Sequence, residues 1–267
     1  MTLPSGVRRR AVVWLGLLLL CAVRGSPPGL SYAYASGASS RLYIPVMIRG
    51  TVCPPLAQSY AILSADPPGP AMPAQEHPDH NLAVRGYQVV DEDCRLLDYG
   101  GEHDPLAPQL AGLFGAPRLP DMASTYQVRN WDWSHMRPGS LITTPSVSAL
   151  GLKATPGETL HVPESGYTIG SGCEVLVIYA ATDRITLKYT REDNVVQGYT
   201  LHVDRICVDP ALLALYRACD DTGRAYLPAL RPGQPLGRAR DDQVIVAIVD
   251  SGTFMDPRSR LDWWKGY

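Results

Sequence analysis

Two short stretches of the chain place histidines beside carboxylates, the residue types that bind metal ions and transfer protons. The stretch HPDH contains His77 and His80 on either side of an aspartate, and GGEHDP contains His103 between a glutamate and Asp104. A specific zinc site needs three or four ligands in fixed geometry, and no second cluster of ligands lies near HPDH in the sequence. The alternative is that these are surface histidines and that Asp104 caps a helix. We therefore predict no metal site and no cofactor.

Two further histidines lie within apolar, strand-like runs. His202 lies between Leu201 and Val203, so its side chain points away from the apolar face of its strand. His161 has a similar position in the run TLHV, and Tyr189 ends the alternating run ITLKY. These three residues are candidates to line a ligand groove. A surface or hydrogen-bonded structural histidine is the alternative at both histidine positions.

Aromatic side chains form a third group of candidate binding residues. Trp131 and Trp133 lie in the stretch WDWSH, and the chain ends in a second tryptophan-rich stretch, DWW, at 262–264. Exposed tryptophans beside carboxylates can stack on sugar rings, whereas tryptophans at strand ends also pack into cores and sheet edges. We take Trp131 and Trp133 as candidates for contact with a glycan.

No stretch of the sequence predicts a catalytic residue. Glu192 and Asp193 in YTRED could form a carboxylate pair for acid–base chemistry, but the mixed charges of this stretch favour a solvated hairpin turn instead. The chain contains no G-x-S-x-G nucleophile elbow. The GSG stretch at 170–172 lies between two strand-like runs, which is typical of a hairpin turn and not of a phosphate loop.

The composition favours a mainly β protein. Of the 267 residues, 45% are hydrophobic and 19% are charged, so the chain can form a packed core. Glycine and proline each occur 24 times, which favours strands joined by turns over a helical bundle. The formal net charge of −2 gives no basic excess, so we expect no nucleic-acid partner.

The N-terminus predicts export from the cytoplasm. Three consecutive arginines precede the apolar run Ala11–Val23, and a basic segment followed by a run of this length is typical of a secretory signal. We assign residues 1–25 to the signal, with cleavage after Gly25 or after Ala35, and an uncleaved anchor is the alternative. The run is short for a membrane span, so we expect a secreted or cell-surface protein with no span after cleavage.

Disulfides are possible in an exported protein because the extracytoplasmic space is oxidising. Removal of a signal that contains Cys21 leaves an odd number of cysteines, so at least one is free or pairs with another chain. The sequence does not settle the pairing among the five that remain, which are Cys53, Cys94, Cys173, Cys207 and Cys219.

The chain divides into a spacer and a domain. Residues 26–80 are rich in proline, glycine and serine and contain one short apolar stretch, RLYIPVMIRG, which predicts a strand. Residues 81–267 predict a mainly β domain that begins with a strand in NLAVRGYQVVD. The stretch HDPLAPQLAGLFG predicts a short helix, and a stronger one is predicted at 209–222, with Asp209 as its cap.

Four stretches, in order along the chain, resemble segments of the lysostaphin-type zinc metallopeptidases, a family of peptidoglycan endopeptidases. GETLHVPESG resembles that family's G-T-P-V-x-A-P-x-x-G segment, and GYTLHVDRICV resembles its strand ending in Tyr-Ala-His-Leu. LRPGQPLGRA resembles its V-x-x-G-Q-x-I-G turn, and QVIVAIVDSGTFMDP resembles its His-Leu-His-Phe-Glu-Ile strand with the Gly-x-x-x-Asp-Pro ending. The resemblance covers residues 142–257. It implies an antiparallel sheet or barrel with the helix at 209–222 as an insertion.

The chain departs from this family at the positions of the zinc ligands. The upstream positions fall near Val147 and Gly151, and the downstream pair falls on Gln243 and Ile245, none of which is an imidazole, thiolate or carboxylate. Among the family's histidines, the one at His202 remains. The resemblance therefore implies a domain that has lost its metal.

This reading leads us to expect a non-catalytic binding or regulatory module that recognises peptidoglycan, another glycan or an envelope protein. The alternatives are a zinc-dependent peptidoglycan endopeptidase whose ligands lie elsewhere in the sequence, and a purely structural surface protein. The closing stretch FMDPRSRLDWW is also similar to that of a family of secreted bacterial proteins, a resemblance that indicates no function.

Overall fold

Short apolar runs separated by glycine and proline form the strands of this chain. The computed structural model describes residues 53–267, with 37% of the residues in strands and 11% in helices, so the mainly β class is confirmed. The strands are β1 (Ala61–Ser64), β2 (Tyr87–Val90), β3 (Met122–Asp132), β4 (Arg137–Leu141), β5 (Ala149–Lys153), β6 (Thr159–His161), β7 (Val175–Ala180), β8 (Arg184–Lys188), β9 (Tyr199–Asp204), β10 (Ile206–Val208), β11 (Tyr226–Leu230), β12 (Pro235–Ala239), β13 (Gln243–Asp250) and β14 (Thr253–Phe254). The helices are α1 (Leu82–Arg85), α2 (Pro210–Asp221) and α3 (Arg260–Trp263), with a 3-10 helix at Leu110–Leu113.

One large antiparallel sheet organises the described chain. Its strands follow the order β1-β11-β7-β8-β9-β13-β5-β3-β2, with β14 paired to β13 and β4 paired to β3. A smaller sheet has the order β10-β12-β6. The strands β1 and β2 end the large sheet without pairing to each other, so it is not closed. The predicted antiparallel sheet is confirmed, and the predicted barrel is wrong.

Both faces of the central strands are buried. On β8, Ile185 and Leu187 face the apolar core, and Thr186 and Lys188 on the opposite face are at most 2% exposed. The alternation of apolar and polar residues in ITLKYT predicts a solvated second face, as in a typical antiparallel sheet, so this burial differs from what the pattern indicates. The register pairs Thr186 with His202 and Lys188 with a threonine of β9, so the polar side chains of both strands share this face. We call it the polar face.

Residues 77–87 lie on the polar face, and we call them the covering segment. The Thr186 hydroxyl donates a 2.5 Å hydrogen bond to the backbone carbonyl of His80. The Tyr87 hydroxyl donates a 3.1 Å hydrogen bond to the Asp204 carboxylate at the far end of β9. The covering segment therefore satisfies polar groups of the sheet and excludes water from them.

Residues 53–80 are part of the folded unit, in contrast to the spacer that we predicted for residues 26–80. Within them β1 pairs with β11, and the Tyr60 hydroxyl donates a 2.7 Å hydrogen bond to Asp209. The predicted boundary at residue 81 therefore lies inside the unit. The predicted signal, the predicted strand in RLYIPVMIRG and the start of the predicted spacer lie outside the described residues.

A disulfide fastens the start of the described chain to the small sheet. It joins Cys53 to Cys207 across 154 positions of sequence, with a Cα–Cα distance of 5.4 Å. Among the other described cysteines, Cys94 is an exposed free thiol, and Cys173 and Cys219 are buried free thiols. A link across so long a loop restricts the unfolded chain strongly, which stabilises the folded state.

Helix α2 is confirmed within one residue of the predicted bounds, with Pro210 in its first turn and Gly223 beyond its end at a φ of 92°. It packs against β11 and β7. The predicted cap differs: the Asp209 side chain makes no capping hydrogen bond and instead accepts from Tyr60 and from the Leu56 amide. This carboxylate therefore holds the 53–64 region against the sheet.

Two predicted elements differ from the structure. NLAVRGYQVVD forms α1 and β2 instead of one strand, because the Asn81 side chain caps the Ala83 amide and Gly86 turns the chain at a φ of 73°. In HDPLAPQLAGLFG only the 3-10 helix forms, and Asp104 accepts from the Leu106 amide in a turn that precedes it. Proline at 108 removes a backbone donor there, which prevents a longer helix.

A buried ionic network joins the covering segment to the loop that follows β8. The Asp193 carboxylate accepts hydrogen bonds of 2.7 and 2.8 Å from the Arg224 guanidinium and lies 3.1 Å from Nε2 of His80. The side chains of His80 and Asp193 are at most 2% exposed. Burial acts to raise the pKa of Asp193, but its contacts with Arg224 and His80 outweigh burial and lower the pKa. This carboxylate, which the sequence places in a turn that we expected to be solvated, is a structural anchor.

We predict that Asp193→Asn lowers the free energy of unfolding by about 3 kcal/mol or more, because it removes the buried carboxylate that pairs with Arg224 and leaves the guanidinium only the more exposed Asp220 as an acidic partner. Asp93→Asn is the matched control, since the Asp93–Arg95 pair is more than 60% exposed on both sides and should contribute less than about 1 kcal/mol. Urea unfolding measures both variants. Equal effects of the two substitutions would contradict the structural role of Asp193.

Candidate functional site

The positions at which the resemblance places zinc ligands meet on the large sheet. Gly151 of β5 pairs directly with Ile245 of β13. The carboxamide of Gln243 packs against Gly151, within the space that a Cβ at 151 would need, and donates a hydrogen bond to Ser124. Val147, at the fourth position, is fully buried. Amide, methylene and methyl groups occupy this place, so the residues present do not fit a zinc ion.

His202 lies on the polar face but not in a groove. It is 1% exposed, its Nδ1 lies 3.1 Å from the Thr186 hydroxyl, and its ring stacks on Phe254 at a centroid distance of 6.3 Å. Burial lowers the pKa of His202 to about 3, with a smaller contribution from the nearby Arg85 charge. The groove position that we predicted for His202 is therefore wrong, because the covering segment lies over its face.

The other two strand candidates are also separated from each other. Tyr189 is 2% exposed and donates a 2.8 Å hydrogen bond to the carbonyl of Pro163, and burial raises its pKa. His161 lies on β6 in the smaller sheet and is half-buried. Its Nδ1 has no hydrogen-bond partner within residues 53–267, and burial lowers its pKa. The structure does not bring His202, His161 and Tyr189 into one groove.

The histidines that could have bound a metal have other partners. The rings of His77 and His80 pack edge to face at 4.6 Å, and burial lowers the pKa of His77 to about 4. Nδ1 of His103 lies 2.7 Å from the Asp262 carboxylate. Within residues 53–267 no three histidine, cysteine or acidic side chains are placed to hold a metal ion.

Trp131 and Trp133, in contrast, lie together on a surface cavity as candidate binding residues should. Their rings are edge to face at 6.3 Å, and Trp133 is 52% exposed. Nε1 of Trp131 is buried without a hydrogen-bond partner among the described residues. This cavity, the Trp cavity, has a volume of about 330 Å³, and its lining consists of Arg85, Asn130, Trp131, Trp133, Ile142, Thr144, Gly252, Thr253 and Phe254.

A larger cavity of about 740 Å³, the central cavity, lies beside the Trp cavity and shares Thr144, Thr253 and Phe254 with it. The end of β13, β14 itself, the segment after β14 and the end of α3 contribute to its walls. The remaining lining residues are Tyr99, Gly100, Glu102, His103, Asp104, Thr143, Pro145, Ser146, Tyr199, Asp250, Met255, Asp256, Ser259, Asp262 and Trp263.

A third cavity of about 300 Å³, the Tyr cavity, adjoins the other side of the central cavity. The two share Asp104, Tyr199 and Asp250, and Tyr189 lines the Tyr cavity from below the surface. The three cavities are therefore neighbours in a row from Trp133 to Tyr167, and we call this row the cleft. A cleft of this length suits an extended ligand better than a compact one.

The central cavity contains a histidine held in a fixed orientation by a carboxylate. His103 Nδ1 and Asp262 Oδ1 are 2.7 Å apart, and the hydroxyl of Ser259 donates to the other carboxylate oxygen. A carboxylate that accepts from Nδ1 fixes the tautomer in which Nε2 is a hydrogen-bond acceptor. His103 can therefore accept a hydrogen bond from a ligand through Nε2.

Two further carboxylates of the central cavity are satisfied by the protein itself. Asp256 forms a buried bidentate pair with Arg258 and accepts a 2.7 Å hydrogen bond from Tyr99. Asp104 accepts hydrogen bonds from the hydroxyls of Tyr167 and Tyr199. Burial acts to raise the pKa of Asp104, but these hydrogen bonds outweigh it and lower the pKa. The tyrosines at this end of the cleft are thereby held in place.

Sequence reasoning missed the pairing at the centre of the cleft. The sequence pattern relates His103 only to its sequence neighbours, whereas its partner Asp262 lies 159 positions away in the DWW stretch. The aromatic residues of that stretch, Trp263 and Trp264, are at most 2% exposed and donate to backbone carbonyls. No local pattern links His103 to Asp262, because the fold alone brings them together.

No protein-family model, curated protein or solved structure matches this chain. Across residues 53–267, none of the helices has the length and apolar character needed to cross a bilayer.

The buried His202 predicts a specific pH dependence of stability. In the folded state it stays neutral down to about pH 3, whereas the unfolded chain protonates it below about pH 6.5. The unfolded state then binds more protons, so the free energy of unfolding falls with decreasing pH by about 1.4 kcal/mol per unit in this window.

We therefore expect His202→Gln to show a shallower decline of the free energy of unfolding between about pH 7 and about pH 5, by roughly 2 kcal/mol. Urea unfolding at the two pH values measures the difference. The pKa of His77 is also lowered, to about 4, and this residue keeps its own contribution to the pH dependence of the free energy of unfolding in the variant. The same decline in variant and wild type would show that His202 is not held neutral.

Proposed function

We propose that this protein is an exported, non-catalytic recognition module of the bacterial envelope or extracellular space, and that its cleft binds a wall glycan or peptide. The observation that carries the proposal is that three neighbouring cavities share lining side chains. The Trp cavity joins the central cavity at Phe254, and the central cavity joins the Tyr cavity at Tyr199. Aromatic rings and carboxylates alternate along this cleft, a chemistry that suits sugars and peptides.

The derivation from a lysostaphin-type peptidase is part of the proposal and rests on the sequence resemblance. The strand register is compatible with it, because the positions compared with zinc ligands at Gly151 and Ile245 are direct neighbours on β5 and β13. The same register supports the absence of catalysis. The Gln243 carboxamide fills the space next to Gly151, so neither a metal ion nor a metal-bound water has room there.

The cleft also lies apart from the face that a peptidase of this family would use. The polar face is closed by the covering segment, whose His80 and Tyr87 hydrogen-bond to the sheet. The cleft is bordered instead by the loops at 99–104, 143–146 and 250–263. We infer that recognition takes place at these loops.

The runner-up function is a zinc-dependent endopeptidase, and the third is a structural surface protein. The endopeptidase needs three convergent ligands, and the described residues offer none that converge. A structural protein needs no open cleft with a half-exposed tryptophan at its end. Stoichiometric zinc in the purified full-length protein would support the endopeptidase and contradict our proposal.

We predict that the purified protein sediments with insoluble peptidoglycan and that Trp133→Ala weakens this binding about 5- to 10-fold. The expected loss corresponds to about 1 kcal/mol for one aromatic ring against a sugar or an apolar group. Tyr226→Ala is the matched control, because Tyr226 is 58% exposed and lines none of the three cavities.

Two results would contradict the proposal. One is the absence of co-sedimentation with peptidoglycan, which would favour the structural alternative. The other is an equal loss of binding in the Trp133 and Tyr226 variants, which would place recognition outside the cleft.

A further inference from the structure

We propose that the covering segment is an acid-released cover, which opens from the polar face when His77 and His202 gain protons while the large sheet stays folded. Three features of the closed segment carry this proposal. Its hydrogen bonds need both imidazoles neutral, the groups around them leave an added proton poorly compensated, and its attachments to the sheet are made by side chains.

A neutral His77 is required by the hydrogen bond at the start of the covering segment. The backbone amide of Asp79 donates to Nδ1 of His77 at 3.2 Å, and only an unprotonated nitrogen can accept this bond. The neutral ring therefore carries its hydrogen on Nε2, and a second proton would lie on Nδ1 and break the bond. The ring also packs edge to face on His80 at 4.6 Å and on Trp133 at 5.7 Å, so a charge on it would lie beside another imidazole.

Charged groups face His77 from its own segment and from the loop after β8. They are Asp79, His80, Arg85 and Asp193. The Asp79 carboxylate already pairs with Arg85. The Asp193 carboxylate already pairs with Arg224, so neither carboxylate is free to neutralise a proton on His77. Burial is the largest cause that lowers the pKa of His77 to about 4.

A neutral His202 is required in a similar way, through Thr186. The Thr186 hydroxyl has one hydrogen, which it donates to the His80 carbonyl, so its oxygen accepts from Nδ1 of His202 at 3.1 Å. Nε2 of the neutral ring then holds the lone pair, and no group within residues 53–267 accepts a hydrogen bond from this atom. Protonation would therefore place an unpaired N–H on a ring that is 1% exposed.

The surroundings of His202 offer no free carboxylate among the described residues. The groups around the ring from the covering segment and from β8, β13 and β14 are Asp79, His80, Arg85, Thr186, Ala247 and Phe254. The one carboxylate among them, Asp79, pairs with Arg85, whose guanidinium lies 5.3 Å from the centre of the Phe254 ring. Burial first and the Arg85 charge second lower the pKa of His202 to about 3.

The covering segment can open without disturbing the strand pairing of the large sheet. Every backbone–backbone hydrogen bond of residues 77–85 is made within residues 74–86, and helix α1 is too short to persist alone. The segment is held instead by side chains, chiefly the buried Leu82 and the pair of His80 with Asp193. Nε2 of His80 donates to Asp193 whether the ring carries one proton or two, so these attachments oppose opening at neutral and at acid pH.

Opening also changes the Trp cavity. Arg85 lines this cavity, and His77 contacts Trp133. An open segment withdraws both side chains, so acid removes part of the cavity wall and exposes Thr186 and His202 on the polar face. The protein thereby couples the pH of its surroundings to the shape of the cleft.

Hydrogen exchange at about pH 7 and about pH 5, corrected for the intrinsic exchange rate at each pH, tests the proposal without a ligand and so independently of the proposed function. An imidazole that is neutral in the closed segment and has an ordinary pKa of about 6.5 in the open one raises the opening equilibrium constant about 20-fold over this range, because the open state binds more protons. We expect the protection of the amides in residues 79–86 to fall about 20-fold or more, and to stay below that of β9 and β13 at both pH values.

His77→Gln and His202→Gln should each reduce this fall at least about fivefold, because glutamine keeps a hydrogen-bonding side chain but does not titrate. His135→Gln is the matched control, since His135 is 64% exposed and lies between β3 and β4, and it should keep the full response. If a variant leaves the segment unprotected already at about pH 7, the wild-type comparison with β9 and β13 decides alone.

Three results would overturn the proposal. One is unchanged protection of residues 79–86 between the two pH values. Another is equal protection of the segment and of β9 and β13 at about pH 5, which would mean that the segment opens only when the whole protein unfolds. The third is an undiminished pH response in both histidine variants, which would assign the response to other groups.

Discussion

The buried carboxylate of Asp193 is held from two directions, by the guanidinium of Arg224 and by the imidazole of His80. A carboxylate this deeply buried is tolerated only when it is paired and hydrogen-bonded, so the loop after β8, the turn before β11 and the covering segment must assemble together. Once His80 is fixed, its carbonyl and the Tyr87 hydroxyl close the polar face of the large sheet. Because the covering segment closes the polar face, that face is not open to a ligand. The open cleft therefore lies elsewhere, at the loops around β14 and α3.

The two polar regions of the molecule therefore have different roles. On the polar face the side chains are buried. His202, for example, stacks on Phe254 and is kept neutral by burial. In the cleft the protein satisfies Asp104 and Asp256 with hydrogen bonds, whereas Glu102 accepts none from the described residues. Phe254 contacts both regions, since one side of its ring packs on His202 and the residue also borders two cavities. The buried polar face and the cleft are thus neighbouring sets of side chains that meet at Phe254.

Part of this arrangement could be predicted from the sequence. The alternating runs predict the strands, and the proline and glycine around 210–223 predict helix α2. The barrel, the assignment of residues 53–80 to a spacer and the groove position of His202 were wrong for a common reason. Each depends on contacts between segments far apart in the chain, such as β1 with β11 or His80 with Asp193, and local periodicity carries no information about such contacts. The pairing of His103 with Asp262 escaped prediction in the same way.

Hydrogen exchange measured with and without soluble peptidoglycan fragments tests the central claim most directly. If ligand binds in the cleft, exchange should slow in the loops at 99–104 and 250–263 and around Trp133, while the covering segment keeps its slow exchange. Faster exchange in residues 77–87 on addition of the fragments would mean that ligand displaces the covering segment and binds the polar face, and this result would contradict the account.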